Sequence, residues 1–495
     1  AKTFISGVTT TAATATEIDT QITTITTDYT ANEAKGVTYT FTTSTDNFTG
    51  GAKNDTFSGT IDSDTATDNT FNLGDEIDGG AGTDTLSLTL SGAAGQDDNS
   101  VFTSRNVENL KFRVSGTDDV TLDLGDVTGV ESITADRLNG NLTLNDLQEI
   151  SSLTIDRNTL NKDVVLDWNA TVDAGTTDTI TINVINSSDV GTVNVDNIET
   201  VNLVSTDSPS SDTNELTIGA GASDVLNISG AGDTTVVATE SETINISASG
   251  DVTLTPTAAT TITHTGTGKL TTTTCVADVV LTASGTGSLD FTDSVAGDTT
   301  VTGSSGDDTF KFGANLDEDD AVVGGTGSDT LVVTGAAAPF GAPDDGDIAV
   351  SGVETLEINL STANDDVDFD EFSNPAELTT VVVNSTDANA DAVTLTDTQA
   401  STFTINNEDD NAGGEDIASV TIDLKDATGS ADEITINLNN TQSGDAGEQE
   451  AFVLAALVAN DIETINLNTS FVSDSGSAEA VTVTALTSDD ISALN

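Results

Sequence analysis

A nine-residue pattern of glycine and aspartate recurs in this chain and constrains its fold more than any other feature. Residues 79–87 (GGAGTDTLS) and 324–332 (GGTGSDTLV) fill every fixed position of the pattern G-G-x-G-x-D-x-U-x, where U is a large apolar residue. Residues 50–58 and 303–311 each depart from it at one position. A unit this short buries its apolar residue only by stacking on its neighbours. The pattern therefore predicts stacked turns around a shared core.

Aspartate holds the sixth position of these blocks, and adjoining stretches that lack the glycines keep it in the same register. Glycine permits tight bends with carbonyl groups turned inward. Stacked turns then place each carboxylate beside carbonyls and beside a carboxylate of the adjacent turn. Oxygen-only sites of this kind suit a hard cation such as calcium rather than zinc or copper. The predicted ligands of several calcium ions are Asp46, Asp55, Asp75, Asp84, Asp308, Asp320 and Asp329.

Short runs in which apolar and polar residues alternate fill much of the remaining chain. Residues 120–124 (VTLDL) and 179–184 (TITINV) are examples, and period-two alternation is typical of half-buried strands. Between residues 114 and 302 glycine, asparagine, aspartate and serine mark turns between such runs. The sequence therefore predicts an all-β fold, a β-solenoid or parallel β-helix with calcium-binding β-roll segments and few short helices. A chain of immunoglobulin-like β-sandwiches is the alternative that this pattern leaves open.

The repeats also predict how the chain is organised. Residues 449–461 carry apolar side chains at helical spacing, and a second, shorter helix is expected at residues 489–494. The predicted segments are an N-terminal strand segment (1–40), a first calcium module (41–113), a β-solenoid (114–302), a second calcium module (303–360), and a C-terminal β domain with one helix and a candidate secretion signal (361–495).

Negative charge dominates the chain, with 83 acidic residues against 12 basic ones and a formal net charge of −71 at pH 7. Such charge opposes compaction unless cations bind, and it makes nucleic acid and anionic membranes poor partners. Cys275 is the single cysteine, so an intrachain disulfide is excluded. The sequence has no apolar run long enough to span a bilayer. Residues 1–5 lack the features of a signal peptide, so we expect a leader that has been removed or export without one.

The complete blocks at residues 79–87 and 324–332 resemble RTX repeats, a calcium-binding β-helix pattern. Together with the threonine-rich strands and recurring V-E-x-L strands, such as residues 107–110, they make the wider chain resemble S-layer proteins of Gram-negative bacteria. In that family calcium orders the subunits and drives a two-dimensional surface lattice. Export is typically by a type I system that reads an uncleaved C-terminal signal, a role that residues 486–495 would take here.

The resemblance implies a secreted, self-assembling structural protein of the bacterial cell surface, with Ca²⁺ as its cofactor. Its expected partners are other copies of the same chain, in a lattice or a filament. Surface polysaccharide or lipopolysaccharide is a second expected partner, whereas nucleic acid and a membrane span are not expected.

RTX repeats also accompany secreted enzymes, but the sequence lacks the catalytic motifs of those enzymes. A zinc protease of that type needs H-E-x-x-H, and a lipase needs G-x-S-x-G with a usable histidine. The single histidine, His264, is expected on a strand surface. We therefore expect no enzymatic activity and no catalytic residues. The alternatives left open are an RTX adhesin or matrix fibre and, with less support, a secreted polysaccharide enzyme or a threonine-rich surface that binds ice or mineral.

Overall fold

The structure is a computed structural model, and it divides into two compact units. The first contains Ala1–Asn183 with Asp189–Thr192, and the second contains Val184–Ser188 with Val193–Asn495. The residues that the structure describes are 36–62, 69–91, 103–206, 213–219, 224–334, 348–360, 365–385, 391–407, 417–429, 431–440, 452–471, 481–488 and 491–495.

Short strands follow one another closely along both units. Those of the first unit are β1 (Thr38–Thr40), β2 (Asn47–Thr49), β3 (Thr56–Asp62), β4 (Glu76–Asp78), β5 (Thr85–Ser91), β6 (Thr103–Arg105), β7 (Asn109–Val114), β8 (Val120–Asp123), β9 (Ser132–Asp136), β10 (Leu142–Leu147), β11 (Ser152–Asp156) and β12 (Thr159–Trp168). Two strands have residues in both units, β13 (Thr179–Ile185) and β14 (Asp189–Val195).

The second unit continues in the same manner. Its strands are β15 (Thr200–Thr206), β16 (Asn214–Ile218), β17 (Val225–Gly230), β18 (Thr234–Ala238), β19 (Thr243–Ile246), β20 (Val252–Pro256), β21 (Thr261–His264), β22 (Leu270–Thr272), β23 (Val280–Ala283), β24 (Leu289–Thr292), β25 (Thr300–Thr302), β26 (Thr309–Gly313), β27 (Ala321–Val323), β28 (Thr330–Thr334), β29 (Ala349–Ser351), β30 (Thr355–Asn359), β31 (Asp365–Asp368), β32 (Thr380–Ser385), β33 (Asp391–Thr398), β34 (Thr402–Asn407), β35 (Ile417–Leu424), β36 (Glu433–Asn440), β37 (Phe452–Ala459), β38 (Thr464–Phe471), β39 (Val481–Thr487) and β40 (Ala493–Leu494).

Within each unit a strand pairs in parallel with the strand two positions later in the chain. The first unit has the sheets β1-β3-β5-β7-β9-β11, β2-β4-β6 and β8-β10-β12. In the second unit the odd strands β15 to β29, the even strands β16 to β40 and the odd strands β31 to β39 form three sheets. Parallel partners need a connection that returns the chain to the same edge, and each coil supplies it. The predicted β-solenoid is confirmed, and the sandwich alternative, which requires antiparallel sheets, is wrong.

Equivalent residues of successive coils stack into columns inside the units. Leu226, Ile244, Ile262 and Leu281 lie opposite one another in register, and none of them is exposed. Alternation along each strand turns these side chains inward and their threonine and asparagine neighbours outward. Burial of one such side chain contributes about 1.5–3 kcal/mol. Because the strands pair in register, the turns between them stack as well, and this stacking positions the candidate site.

The helix predicted at residues 449–461 is wrong. Phe452–Ala459 is strand β37, which pairs in parallel with β35 on one side and β39 on the other. Phe452 and Leu454 are buried at its start, and Leu457 and Ala459 are buried at its end. An apolar run this short suits a strand or a helix equally, and here the neighbouring strands supply its hydrogen bonds. Residues 449–451 of the predicted helix lie outside the described residues.

Helical structure is limited, in the part of the chain that is described, to the 3₁₀ turns Phe369–Glu371 and Pro375–Glu377. The second predicted helix, at residues 489–494, ends instead in strand β40, while residues 489 and 490 lie outside the described residues. None of the helices in the described ranges is long and apolar enough to cross a membrane. The division into five segments stays a prediction.

Candidate metal site

The predicted aspartates of the first module lie in two stacked pairs. Asp55 precedes β3 and Asp84 precedes β5, and the N–H of Asp55 donates a 2.6 Å hydrogen bond to Oδ1 of Asp84. Asp46 and Asp75 precede β2 and β4, and the N–H of Asp46 donates to Oδ1 of Asp75 at 2.8 Å. The strands that follow are paired in register. The stacked coils therefore bring these four residues together two by two.

The second module contains one equivalent pair of aspartates, and its remaining predicted ligand is not paired with another. The N–H of Asp308 donates to Oδ1 of Asp329 at 2.8 Å, as in the first module. Asp320 meets no other predicted ligand through its hydrogen bonds. Its Oδ1 accepts from the N–H of Thr299 and its Oδ2 from the N–H of Asp317, both at 2.8 Å. Six of the seven predicted ligands are thus paired with another predicted ligand, and Asp320 is not.

In the two blocks that depart from the nine-residue pattern, both carboxylate oxygens have donors. Oδ2 of Asp55 accepts from the N–H of Gly51 at 2.6 Å, and Oδ2 of Asp308 accepts from the N–H of Ser304 at 2.5 Å. Their Oδ1 atoms accept backbone N–H groups of the preceding coil. These two carboxylates are therefore satisfied by the chain itself, and they hold their turns closed.

In the two complete blocks the second oxygen has no donor. Oδ2 of Asp84 and Oδ2 of Asp329 are buried and make no hydrogen bond, and both residues are 0% exposed. A buried polar atom without a partner costs free energy, and native structures contain few of them. The same atom is left free at the same repeat position in both units. This recurrence points to a ligand that the chain itself does not supply.

Glycine is required beside these free oxygens. A Cβ on Gly79 would lie 2.6 Å from Oδ2 of Asp84 and 1.8 Å from the carbonyl oxygen of Asn106, closer than any side chain allows. Gly80 follows with φ of 95°, a left-handed conformation that glycine adopts without strain. Gly324 has the same surroundings in the second unit. The absent side chain lets a carbonyl oxygen of the adjacent coil and the carboxylate oxygen both approach the Gly79 backbone closely.

Both free carboxyl groups resist ionisation. Burial, together with the charges of Asp308 and Glu354, raises the pKa of Asp329 from 3.8 to about 6, although the hydrogen bond from the N–H of Asp308 opposes the rise. Burial likewise raises the pKa of Asp84, and the charge of Glu108 acts in the same direction. The ion pairs among the described residues provide neither aspartate with a basic partner. Negative charge in these turns is therefore not compensated by any basic residue in the described part of the chain.

Calcium, which the repeat pattern implies, fits these turns. The free donors are carboxylate and carbonyl oxygens, which are the ligands that calcium takes in proteins. Over the described ranges, no group of three or more His, Cys, Asp or Glu side chains is arranged to hold a metal ion. An ion here would take one or two carboxylates, with carbonyls of the turns and water as its other ligands. Asp84 and Asp329 are the residues that would hold it, because theirs are the unpartnered oxygens.

Two glutamates complete the stacks, and the sequence analysis does not identify them as part of the site. The N–H of Asp84 donates to Oε2 of Glu108 at 2.7 Å, and the N–H of Asp329 donates to Oε2 of Glu354 at 2.9 Å. Each glutamate belongs to the V-E-x-L strand that follows the complete nine-residue block of its module. The recurrence of that strand after both complete blocks is the sequence signal that could have identified them.

A third copy of this arrangement occurs without the nine-residue pattern. The N–H of Asp432 donates to Oε2 of Glu463 at 2.8 Å, and Oδ2 of Asp432 is buried without a hydrogen bond. The N–H of Thr464 donates to the carbonyl of Asp432 at 2.9 Å, and the equivalent contact onto Asp84 is also 2.9 Å. Glu463 again lies in an I-E-x-I strand. The glutamate strand therefore accompanies this geometry in each of these three places, whereas the glycines accompany it in two.

His264 is buried, and the expectation that it lies on a strand surface is wrong. It is 1% exposed and lies in register with Ile246 and Ala283 of the adjacent coils. Ile262 and His264 share the inward face of β21, because they are two residues apart. The alternation of apolar and polar residues in that strand therefore already predicts that His264 points inward. Burial lowers the pKa of the imidazole, so the neutral form is favoured in the interior.

No protein-family model matches this chain. A search among curated proteins finds no similar sequence either. The likeness to RTX and S-layer proteins therefore stays an expectation from the repeat motifs of the sequence.

Proposed function

We propose that this chain is a calcium-dependent, self-assembling structural protein of a bacterial surface layer, without enzymatic activity. One observation carries the proposal: each unit holds a buried and unpartnered carboxylate oxygen at the same repeat position, on Asp84 in the first and on Asp329 in the second. An ionised carboxylate in such a place is costly unless a cation compensates it. Calcium, when bound, supplies that compensation.

The proposal places the protein outside the cell, where calcium is abundant. Extracellular calcium modules bind with dissociation constants of about 10⁻⁴ to 10⁻³ M. Turns of that affinity stay empty in a cytoplasm poor in calcium and fill after export. Because the empty turns hold uncompensated charge, folding of the two modules is coupled to calcium. The protein would therefore leave the cell incompletely folded and become rigid at the surface.

The charge of the chain supports a role for calcium in assembly as well. A net charge of −71 makes copies of the chain repel one another, and monovalent salt screens this repulsion only beyond about 8 Å at physiological strength. Divalent cations that bind to the carboxylates reduce the net charge of the chain itself. Strand β39 is the last strand of its sheet, pairs only with β37 among the described strands and is largely exposed. An exposed edge of this kind can add a strand from a second copy.

The proposal is tested with the whole 495-residue chain, stripped of divalent ions by a chelator. Calcium should raise the thermal unfolding midpoint followed by circular dichroism, and millimolar calcium should produce ordered sheets in negative-stain electron microscopy. A melting curve unchanged by calcium would contradict the calcium sites. Particles that stay monomeric by light scattering would contradict self-assembly, and filaments without lateral order would favour the fibre alternative.

A pair of double variants separates the sites from general charge. Asp84→Asn with Asp329→Asn removes both free carboxylate oxygens; it should strongly reduce the stabilisation by calcium and should abolish the assembly. Asp366→Asn with Glu242→Gln removes the same charge at exposed positions outside the turns and should preserve both responses. Equal responses in the two double variants would show that calcium acts on overall charge rather than at these turns.

A further inference from the structure

One corner of the second unit concentrates acidic residues outside the nine-residue blocks. The turn after β24 stacks on the turn after β26, because β24 pairs with β26 and β25 pairs with β27. The N–H of Asp293 donates to the carbonyl of Lys311 at 2.8 Å, at the start of the turns. The N–H of Thr299 donates to Oδ1 of Asp320 at 2.8 Å, at their end. Both ends of one turn are thus tied to the next turn.

Two buried oxygens at this corner have no hydrogen bond. Asp293 is 4% exposed; its Oδ1 accepts from the N–H of Val295 at 3.3 Å. Its Oδ2 is buried without a hydrogen bond of normal geometry, although the side chain of Asn315 lies near the carboxylate. Thr299 is 0% exposed, and its Oγ1 is also buried and unpartnered. Asp320 is 1% exposed, and each of its oxygens accepts a single backbone N–H. A calcium ion takes six to eight oxygen ligands, and a carboxylate oxygen that accepts one hydrogen bond keeps a lone pair for it.

The carboxylates of this corner repel one another. Burial, together with the charges of Asp317 and Asp293, raises the pKa of Asp320 to about 6 against the opposing effect of its two backbone hydrogen bonds. Burial also raises the pKa of Asp293; hydrogen bonds from the backbone of Val295 and Ser294 and from the side chain of Asn315 oppose this rise, and the charge of Asp317 adds to it. The nearest lysine on these coils, Lys311, pairs its Nζ with Asp290 at 2.6 Å. The three turn carboxylates therefore share a region of like charge.

The groups at the rim of the corner add no positive charge. Cys275 lies one coil away, and burial raises the pKa of its thiol to about 12, so it stays neutral. Asp298 is exposed on the same turn, and its pKa is raised first by the charge of Asp319 and also by that of Asp278. The field at this corner is negative on each side for which a charged neighbour is described.

We propose that Asp293 and Asp320 bind a divalent cation at this corner, with calcium as the expected ion. Two buried carboxylates and the free hydroxyl of Thr299 form a donor set of oxygen alone, which suits a hard cation. Asp317 adds negative charge beside them. The nine-residue pattern does not extend to Asp293. Asp320 belongs to the ligand set predicted from the repeat, but the site lies outside the turns that hold Asp84 and Asp329, so its failure would leave the proposed function intact.

A competing explanation is that the two buried carboxyl groups share a proton and need no ion. The two explanations differ in how the chain responds to calcium at neutral pH. A shared proton predicts that removing one carboxylate leaves the number of bound ions unchanged. A bound cation predicts that the same change removes one ion.

The experiment compares wild type with Asp293→Asn in the whole chain at neutral pH. Bound calcium per chain is measured by equilibrium dialysis, and unfolding is followed with chelator and with millimolar calcium. Asp293→Asn should bind one calcium fewer and gain less stability from calcium. In chelator it should melt no lower than wild type, because the substitution removes a repulsion. Asp298→Asn, which removes an exposed charge from the same turn, should bind as many ions as wild type.

Equal calcium binding by wild type and Asp293→Asn would overturn the proposal. Asp320→Asn is the second variant, and it serves if Asp293→Asn does not fold. An Asp320→Asn protein that binds one calcium fewer than wild type supports the site, and one that binds as many as wild type overturns it. The double variant Asp84→Asn/Asp329→Asn separates this site from the nonapeptide turns. It should keep the ion held at the corner, and a double variant that binds no calcium at all would overturn the site while supporting the turns.

Discussion

Replacement of Asp329 by asparagine should stabilise the calcium-free protein and weaken the calcium-bound one. Without an ion, burial and neighbouring acids raise the pKa of Asp329 from 3.8 to about 6. At about 1.4 kcal/mol per pH unit, this difference corresponds to about 3 kcal/mol by which the ionised group disfavours folding. Asparagine keeps an oxygen for the 2.8 Å hydrogen bond from Asp308. We therefore expect a gain of about 1–3 kcal/mol in chelator at neutral pH, and a loss when calcium is present.

The same reasoning predicts the pH dependence of the calcium-free wild type. A carboxyl group whose pKa is higher in the folded than in the unfolded state destabilises the fold when it is ionised. That penalty is fully present above about pH 6 and is relieved as the pH falls from 6 towards 3.8. Asp320, whose pKa is also raised to about 6, adds to it. Calcium-free protein should thus be more stable at about pH 5 than at about pH 7, whereas protons should weaken the calcium-bound protein.

Urea unfolding followed by circular dichroism, with chelator and with millimolar calcium, measures both effects. Solenoids can unfold segment by segment, so the transition that Asp329→Asn shifts is the one compared between conditions. Asp366→Asn is the control, because it removes an exposed charge and should shift neither midpoint. A variant that is less stable than wild type in chelator by more than about 1 kcal/mol would refute the reasoning, since the ionised carboxylate would then be stabilising.

Two further predictions concern the geometry of the turns. Gly79→Ala should destabilise the first unit by about 1–3 kcal/mol, because its Cβ would lie 1.8 Å from the carbonyl oxygen of Asn106. Gly51→Ala is the matched control, because the nearest atom to its Cβ would be Oδ2 of Asp55 at 3.8 Å. Equal melting temperatures for Gly79→Ala and Gly51→Ala would contradict the steric argument. Glu354→Ala should cost about 1–3 kcal/mol because it removes the acceptor 2.9 Å from the N–H of Asp329. Glu354→Gln keeps an oxygen at that place, so its stability should stay close to that of wild type. Equal denaturant midpoints for Glu354→Ala and Glu354→Gln would argue against this contact.

Much of the turn architecture follows from residues close together in the chain. The glycines of a complete block and the aspartate that follows them predict a tight bend that aims a carboxylate at the next coil. The structure stacks Asp55 on Asp84 and Asp308 on Asp329 as such bends require. Whether these residues bind calcium stays a prediction. The glutamates that complete the stacks, Glu108 among them, belong to a strand that recurs in the sequence, but its contact with the turn is visible only in the fold.

The errors of sequence reasoning lie where local pattern and long-range pairing compete. Phe452–Ala459 contains residues that favour helices, but β35 and β39 flank it and give its backbone a parallel ladder on both sides. His264 is polar, but it occupies an inward position of β21 between Ile246 and Ala283. For β37 the decisive neighbours are one coil away, at a distance along the chain that a short sequence window does not cover, whereas the alternation within β21 already placed His264 on the inward face.

Sequence alone determines the alternation of inward and outward residues and the bends at the glycines, because both depend on neighbouring residues. Only the tertiary structure decides which turn stacks on which, since the coil length varies. Stacked partners are 18 residues apart at Asp233 and Asp251 and 29 apart at Asp55 and Asp84. That choice of partner determines which carboxylate oxygens receive a backbone N–H. It therefore also determines that Asp293, which no repeat marks, is left with a buried and unpartnered oxygen.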